Sequence, residues 1–127
     1  MSVSTDGSSQ SLPMPPKATG QGSGINGGEF LMLALATCYC NDLYREAQRM
    51  GLSLSRAEVE ATAEFAGVGL AASHIRYRAH VESPASAEQI AELIRHTDAV
   101  AEVHNTIRAG VPVVLAAWRP PGMPDLG

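Results

Sequence analysis

The side chains best equipped for chemistry in this chain of 127 residues are two thiols, Cys38 and Cys40, in the run Ala36-Thr37-Cys38-Tyr39-Cys40-Asn41. A thiolate is a nucleophile, a redox centre and a metal ligand. On a helix, residues two apart point about 200° away from each other. A disulfide needs its Cβ atoms within about 4.5 Å, so the two thiols cannot bond to one another inside an intact helix. The same geometry makes them a poor pair for one metal ion, and no other ligands stand at metal-site spacing. No metal and no cofactor are expected. Two readings of the thiols stay open. A reactive thiol needs a cation, a histidine or a helix N-terminus beside it. An inert one is simply a small buried hydrophobe. A further residue belongs to the candidate site: His104, far along the chain, which serves either as a thiol's neighbour or as a capping or interface histidine.

The element that positions the thiols is a long helix over 26–51. Asn26 is a good N-cap, and Glu29 three residues on completes a capping box. Arg45 and Arg49 lie in the last turns, where cations suit the dipole, and Gly51 supplies the residue after the C-cap. Between Phe30 and Cys40 only Thr37 is not apolar. Such a helix must be covered all round, yet its apolar run is far short of the about 20 residues a bilayer needs. Few other elements are available in this chain, so a second copy is expected to cover it.

Residues 57–66 and 75–82 alternate apolar and polar, which reads as two half-buried strands of an antiparallel hairpin. Ile75, Tyr77, Ala79 and Val81 point inward, His80 lies on the wet face and His74 in the connection. Ser86 with Gln89 forms a second capping box and opens a helix to about His96. A break near Thr97-Asp98 separates it from a helical segment over about 99–108. The run 111–118, VPVVLAAW, is a last strand, with Pro112 confining it to an edge. The fold class is therefore α+β, an antiparallel sheet wrapped on a long buried central helix. Residues 1–24, rich in Ser, Gly and Pro, form a flexible or swapped N-terminal arm; 25–119 form the domain; 120–127 form a loose tail.

Composition narrows the function. A net charge of -4 with Lys17 as the only lysine argues against nucleic acid or an anionic membrane as partner. The first residues lack the apolar stretch of a secretory signal, which favours the cytoplasm and free thiols. Gly22-Ser23-Gly24-Ile25-Asn26-Gly27 fits G-x-G-x-x-G, but no apolar strand precedes it, so it reads as a flexible lead-in to the helix rather than a dinucleotide site.

The stretch Gly24-Ile25-Asn26-Gly27-Gly28-Glu29-Phe30-Leu31, with Cys38 twelve residues after Asn26, resembles the core helix of the OsmC/Ohr family of osmotically inducible and organic hydroperoxide resistance proteins. Val100-Ala101-Glu102-Val103-His104-Asn105-Thr106-Ile107 resembles the family's second motif. The resemblance covers most of residues 22–118. It implies an intertwined homodimer with two long helices at its centre, and a thiol-dependent peroxidase in which Cys38 attacks an organic hydroperoxide and becomes a sulfenic acid. In the family a second cysteine on the later motif forms a disulfide, which a dithiol such as dihydrolipoamide reduces. Here Ala101 occupies that cysteine's position. The family's Asn-Pro-Glu becomes Asn26-Gly27-Gly28, with Glu29, the nearest acid and so a candidate site residue, one residue late; the family's activating arginine lies before the first helix, and here no arginine precedes Arg45. The expected function is thus reduction of organic hydroperoxides by Cys38 with an external thiol as reductant, and Cys40 resolving only from the other subunit. The alternative is a small-molecule binding or scaffold dimer with inert buried thiols.

Overall fold

The computed structural model describes residues 1–120 and Gly122. The central element is α1, Gly27–Arg49. Its capping box is complete: Glu29 N donates to Asn26 Oδ1 at 2.8 Å, and Asn26 N donates to Glu29 Oε1 at 3.0 Å. Met50 closes the helix and Gly51 follows at φ +71, a conformation side chains rarely adopt. At its first turn the helix runs close under Phe65. A methyl group built on Gly28 would stand 3.0 Å from two atoms at the far end of the exposed Phe65 ring, so a larger residue here requires that ring to shift.

Against one side of α1 lies the expected hairpin, strands Arg56–Glu64 and Ser73–Glu82, paired antiparallel with Ala61 opposite Tyr77 and Ala57 opposite Val81. The alternation holds: Ala57, Val59, Ile75, Tyr77 and Ala79 are half-buried and Val81 is buried, while their neighbours along each strand are exposed. These two strands are β3 and β4 in chain order. His74 belongs to β4 rather than to the connection, at φ +52 beside a register shift between Thr62 and Glu64. Two helices complete the core, α2 (Ala87–Val100) and α3 (Glu102–Ala109). Ser86 and Gln89 form the second capping box as expected. Tyr39, Leu43, Ala47, Val81, Leu93 and Ala101 make the buried centre. Leu43 and Leu93 are fully buried, and cutting either to Ala would cost about 2–5 kcal/mol.

The helix break falls at Ala101, not at Thr97-Asp98. Both polar residues are satisfied in place. Thr97 Oγ1 donates to the carbonyl of Leu93 at 2.7 Å, within the helix, and Asp98 accepts from the Tyr77 hydroxyl and from Arg108. A polar pair whose side-chain bonds are met, one within the helix and one by neighbouring elements, does not end it.

One expectation about the C-terminal run is corrected. The run 111–118 forms no strand; Val113, Leu115 and Trp118 are at least 90% exposed. A strand needs an edge to pair with, Pro112 removes one donor, and among the described residues this segment pairs with no strand. The N-terminal arm carries a short hairpin of its own. β1 (Ser2–Thr5) and β2 (Ser8–Ser11) form a hairpin about Asp6-Gly7, both at positive φ, the turn chemistry that Asp-Gly favours. All eight strand residues are exposed, so the hairpin does not join the core. The tail expected over 120–127 lies, apart from Pro120 and Gly122, outside the described residues.

The sheet covers one side of α1, as expected of a single chain. Leu33, Thr37 and Tyr44 stay exposed, and Cys40 beside them is half-buried. Among the described residues no helix is long and apolar enough to cross a membrane.

Candidate functional site

An unbroken helix from Gly27 to Arg49 fixes where each thiol points. Leu35, Tyr39, Asp42, Leu43, Glu46 and Ala47 mark its buried face. At about 100° per residue Cys38 sits on one flank of that face, within about 40° of Asp42, and Cys40 on the other flank, between buried Ala47 and the exposed Leu33, Thr37 and Tyr44. Both thiols are free and half-buried. The helix geometry keeps them apart, as the spacing indicates.

Cys38 Sγ donates to Asp42 Oδ2 at 3.7 Å, one turn along. The other oxygen of Asp42 accepts from Arg45 Nη1 at 2.8 Å. Arg45 Nε also reaches Glu46 Oε2 at 2.9 Å, and Glu46 Oε1 lies 2.8 Å from His96 Nε2 on α2. Asp42 and Glu46 are buried, so their carboxylates need these partners. The Arg45 hydrogen bond, followed by that of His96, holds the Glu46 carboxyl below its usual range. A row of polar groups thus runs from the thiol along α1 to the surface of α2.

Sequence reasoning missed Asp42, Glu46 and His96, and treated Arg45 only as a helix-end cation. The signal was present in the spacing. Asp42 is four residues after Cys38, Arg45 three after Asp42, and Glu46 four after Asp42, so all share one face.

Glu29 stands at the first turn, exposed, with one carboxylate oxygen occupied by the Asn26 amide. His104 is placed elsewhere again. It is 3% exposed and packs its ring against Tyr77 at 4.4 Å and Tyr39 at 5.7 Å between ring centres. It donates to neither thiol: neither ring nitrogen has a hydrogen-bond partner among the described residues. Burial, then Arg108, pushes its pKa down. The hydroxyl of Tyr39 donates to the Ile94 carbonyl at 2.7 Å, and burial and Asp98 push its pKa up to about 12. Ala101 is fully buried at the join of α2 and α3. Among the described residues no hydrogen bond joins any two of the four candidate residues. No group of three His, Cys, Asp or Glu residues arranged for a metal ion exists among the described residues.

A family model described as OsmC-like protein matches residues 20–116, which hold both cysteines, the hairpin and α2 and α3. The chain belongs to the OsmC-like family. Its fold is similar to that of the crystal structure of an OsmC-like protein from Mycoplasma pneumoniae, with a TM-score of 0.65 and 21% identity over 84% of this chain and 77% of that one. No curated protein gives a significant match. Within this OsmC-like chain the central helix, the hairpin and the paired short helices fall inside the matched residues, whereas the β1–β2 hairpin precedes them.

Proposed function

We propose that this OsmC-like protein reduces organic hydroperoxides with Cys38 as the nucleophile. One observation carries the reading. Cys38 is a free thiol on a rigid helix, half-exposed, with its S–H held by Asp42 and the Asp42 charge balanced by Arg45. The sulfur attacks the distal oxygen of R–O–O–H. The O–O bond breaks, R–O takes the proton that leaves the thiol, and the products are the alcohol and Cys38 sulfenic acid. An external dithiol then condenses with the sulfenic acid, releasing water and forming a mixed disulfide. Its second sulfur displaces Cys38 and leaves as a closed disulfide. Arg45 supports the step by keeping the sulfur from facing a bare carboxylate.

The acting unit in this reading is a homodimer in a reducing compartment such as the cytoplasm. The uncovered stripe of Leu33, Thr37, Cys40 and Tyr44 and the apolar run 111–118 are the surfaces a second copy would cover. Cys40 lies at the edge of that stripe, so its route to a role in resolution runs across the two-fold axis. Glu29 acts as a cap, and His104 shapes the wall of a separate cavity.

Ala101 favours a second reading. The residue at the expected resolving position is a fully buried alanine, so the fold is also consistent with a binding or scaffold dimer whose thiols are inert. Turnover of cumene hydroperoxide with dihydrolipoamide separates the two. Activity lost in Cys38→Ser supports the peroxidase. Background rates in both proteins, with thiols that resist maleimide until unfolding, support the binding protein.

A further inference from the structure

A cavity of about 150 Å³ lies between α1, β4 and α3, lined by Leu35, Ile75, Tyr77, His104, Ile107 and Arg108. Leu35 and His104 are buried and form its floor; Ile107 and Arg108 are exposed at its mouth. A larger concavity of about 570 Å³ on the outer face of the hairpin, between Glu58, Glu60, Arg78 and His80, is a solvated charged trough without a buried polar group.

The smaller cavity differs in having one polar group with nothing to bond. Both nitrogens of His104 are unpartnered among the described residues, although the ring is 3% exposed. A buried polar group in that state costs stability, so its retention wants a reason. The neighbours do not supply a partner. Tyr39 gives its hydroxyl to Ile94, and Tyr77 gives its own to Asp98. The Arg108 guanidinium binds the Asp98 carboxylate at 2.7 Å, the Asp98 carbonyl at 3.2 Å and Asn105 Oδ1 at 3.2 Å. Its charge is already neutralised.

The chemistry of the walls sets the chemistry of the ligand. Burial disfavours the imidazolium, so the ring is neutral at neutral pH and offers one N–H and one lone pair. Leu35, Ile75 and Ile107 offer only apolar surface. An ion entering here would lose its hydration and find no free opposite charge. We propose that this cavity binds a small uncharged molecule with an apolar body and one hydroxyl, the hydroxyl bonded to His104 and the body packed on Leu35, Ile75 and Ile107. An apolar cavity of about this volume holds one benzene ring, which sets the size at a phenol or a six-carbon alcohol. The proposal uses neither thiol and stands apart from the peroxidase reading.

The test titrates the full-length protein with phenol, toluene and benzoate, following the ¹⁵N resonances of the histidine rings. Phenol should saturate, move the His104 nitrogens, and bind at least about tenfold more tightly than toluene, its equal in size without the hydroxyl. Benzoate should not compete. His104→Phe should lose the preference for phenol while still binding toluene. Ile107→Trp, which fills the mouth and leaves His104 in place, should block both. Absence of saturation, toluene binding as well as phenol, or phenol binding unchanged in His104→Phe would each overturn the proposal.

Discussion

Cys38 Sγ stands 3.7 Å from Asp42 Oδ2, and the same carboxylate is clasped by Arg45 at 2.8 Å from the far side. The thiol therefore meets an ion pair rather than a lone anion. The cation comes from later on the same helix, not from the segment before it, where the resemblance to known peroxidases places it.

Removing that cation should slow the thiol. With Arg45→Gln, Asp42 and Glu46 keep their charges and lose their common partner. Arg45 acts on the sulfur through Asp42 and is 43% exposed, so solvent screens its charge and the expected loss is about tenfold in rate. Stopped-flow reaction of reduced protein with cumene hydroperoxide at pH 7 measures this, and added salt should shrink the difference. An unchanged rate would remove Arg45 from the mechanism.

Glu29 should matter to folding and not to turnover. Glu29→Ala opens the capping box and should cost about 0.5–1 kcal/mol in urea unfolding. Glu29→Gln keeps the cap and should leave stability nearly unchanged and the peroxide rate within about twofold. A large loss of rate in Glu29→Gln with stability intact would make the carboxylate catalytic.

His104 should make the protein acid-sensitive. Its folded pKa lies below its ordinary value, so the unfolded chain takes up a proton that the folded one refuses. Above about pH 6.5 this contributes nothing. Below it, stability falls with pH until the folded pKa is reached. The lowered carboxyl of Glu46 adds a further loss at lower pH, as that group protonates. His104→Phe keeps the ring between Tyr39 and Tyr77 and removes two unbonded nitrogens. It should raise stability by about 1 kcal/mol and flatten the slope between about pH 6.5 and 5. Thermal melts across that range read both effects. A slope unchanged by the substitution would place the acid sensitivity elsewhere.

The uncovered stripe should be an interface. Leu33 is 55% exposed and Trp118 90% exposed in the single chain. Leu33→Glu should shift the protein from dimer to monomer in size-exclusion chromatography. Trp118 is the only tryptophan, so its emission should move to the red on the same change. A wild-type protein that runs as a folded monomer when dilute would contradict the dimer.

Much of this fold is legible in the sequence because the signals are local. Asn26 with Glu29, and Ser86 with Gln89, mark two helix starts by residue type and spacing alone. The alternation through Ala57, Val59, Tyr77 and Val81 marks the hairpin. What is not legible depends on partners distant in the chain. Thr97 reads as a breaker until its hydroxyl is seen on the Leu93 carbonyl, and Asp98 until Tyr77 and Arg108 are seen to hold it. VPVVLAAW has the composition of a strand, but composition does not supply an edge to pair with. The site shows the same division. Cys38 stands out by chemistry, whereas His104 falls beside Tyr39 and Tyr77 only once three elements meet. Asp42 and Arg45 lay within reach of the helical spacing and were masked by the apolar run before them.

The most direct test of Cys38 as the peroxide-reactive group is a single turnover. Fully reduced protein is mixed with one equivalent of cumene hydroperoxide in the presence of dimedone, and the modified cysteine is mapped by peptide mass spectrometry. The expected result is one adduct per chain on Cys38, formed within seconds, with cumyl alcohol released in equal amount and no adduct in Cys38→Ser. Labelling of Cys40 alone, or of neither thiol while the hydroperoxide persists, would contradict it.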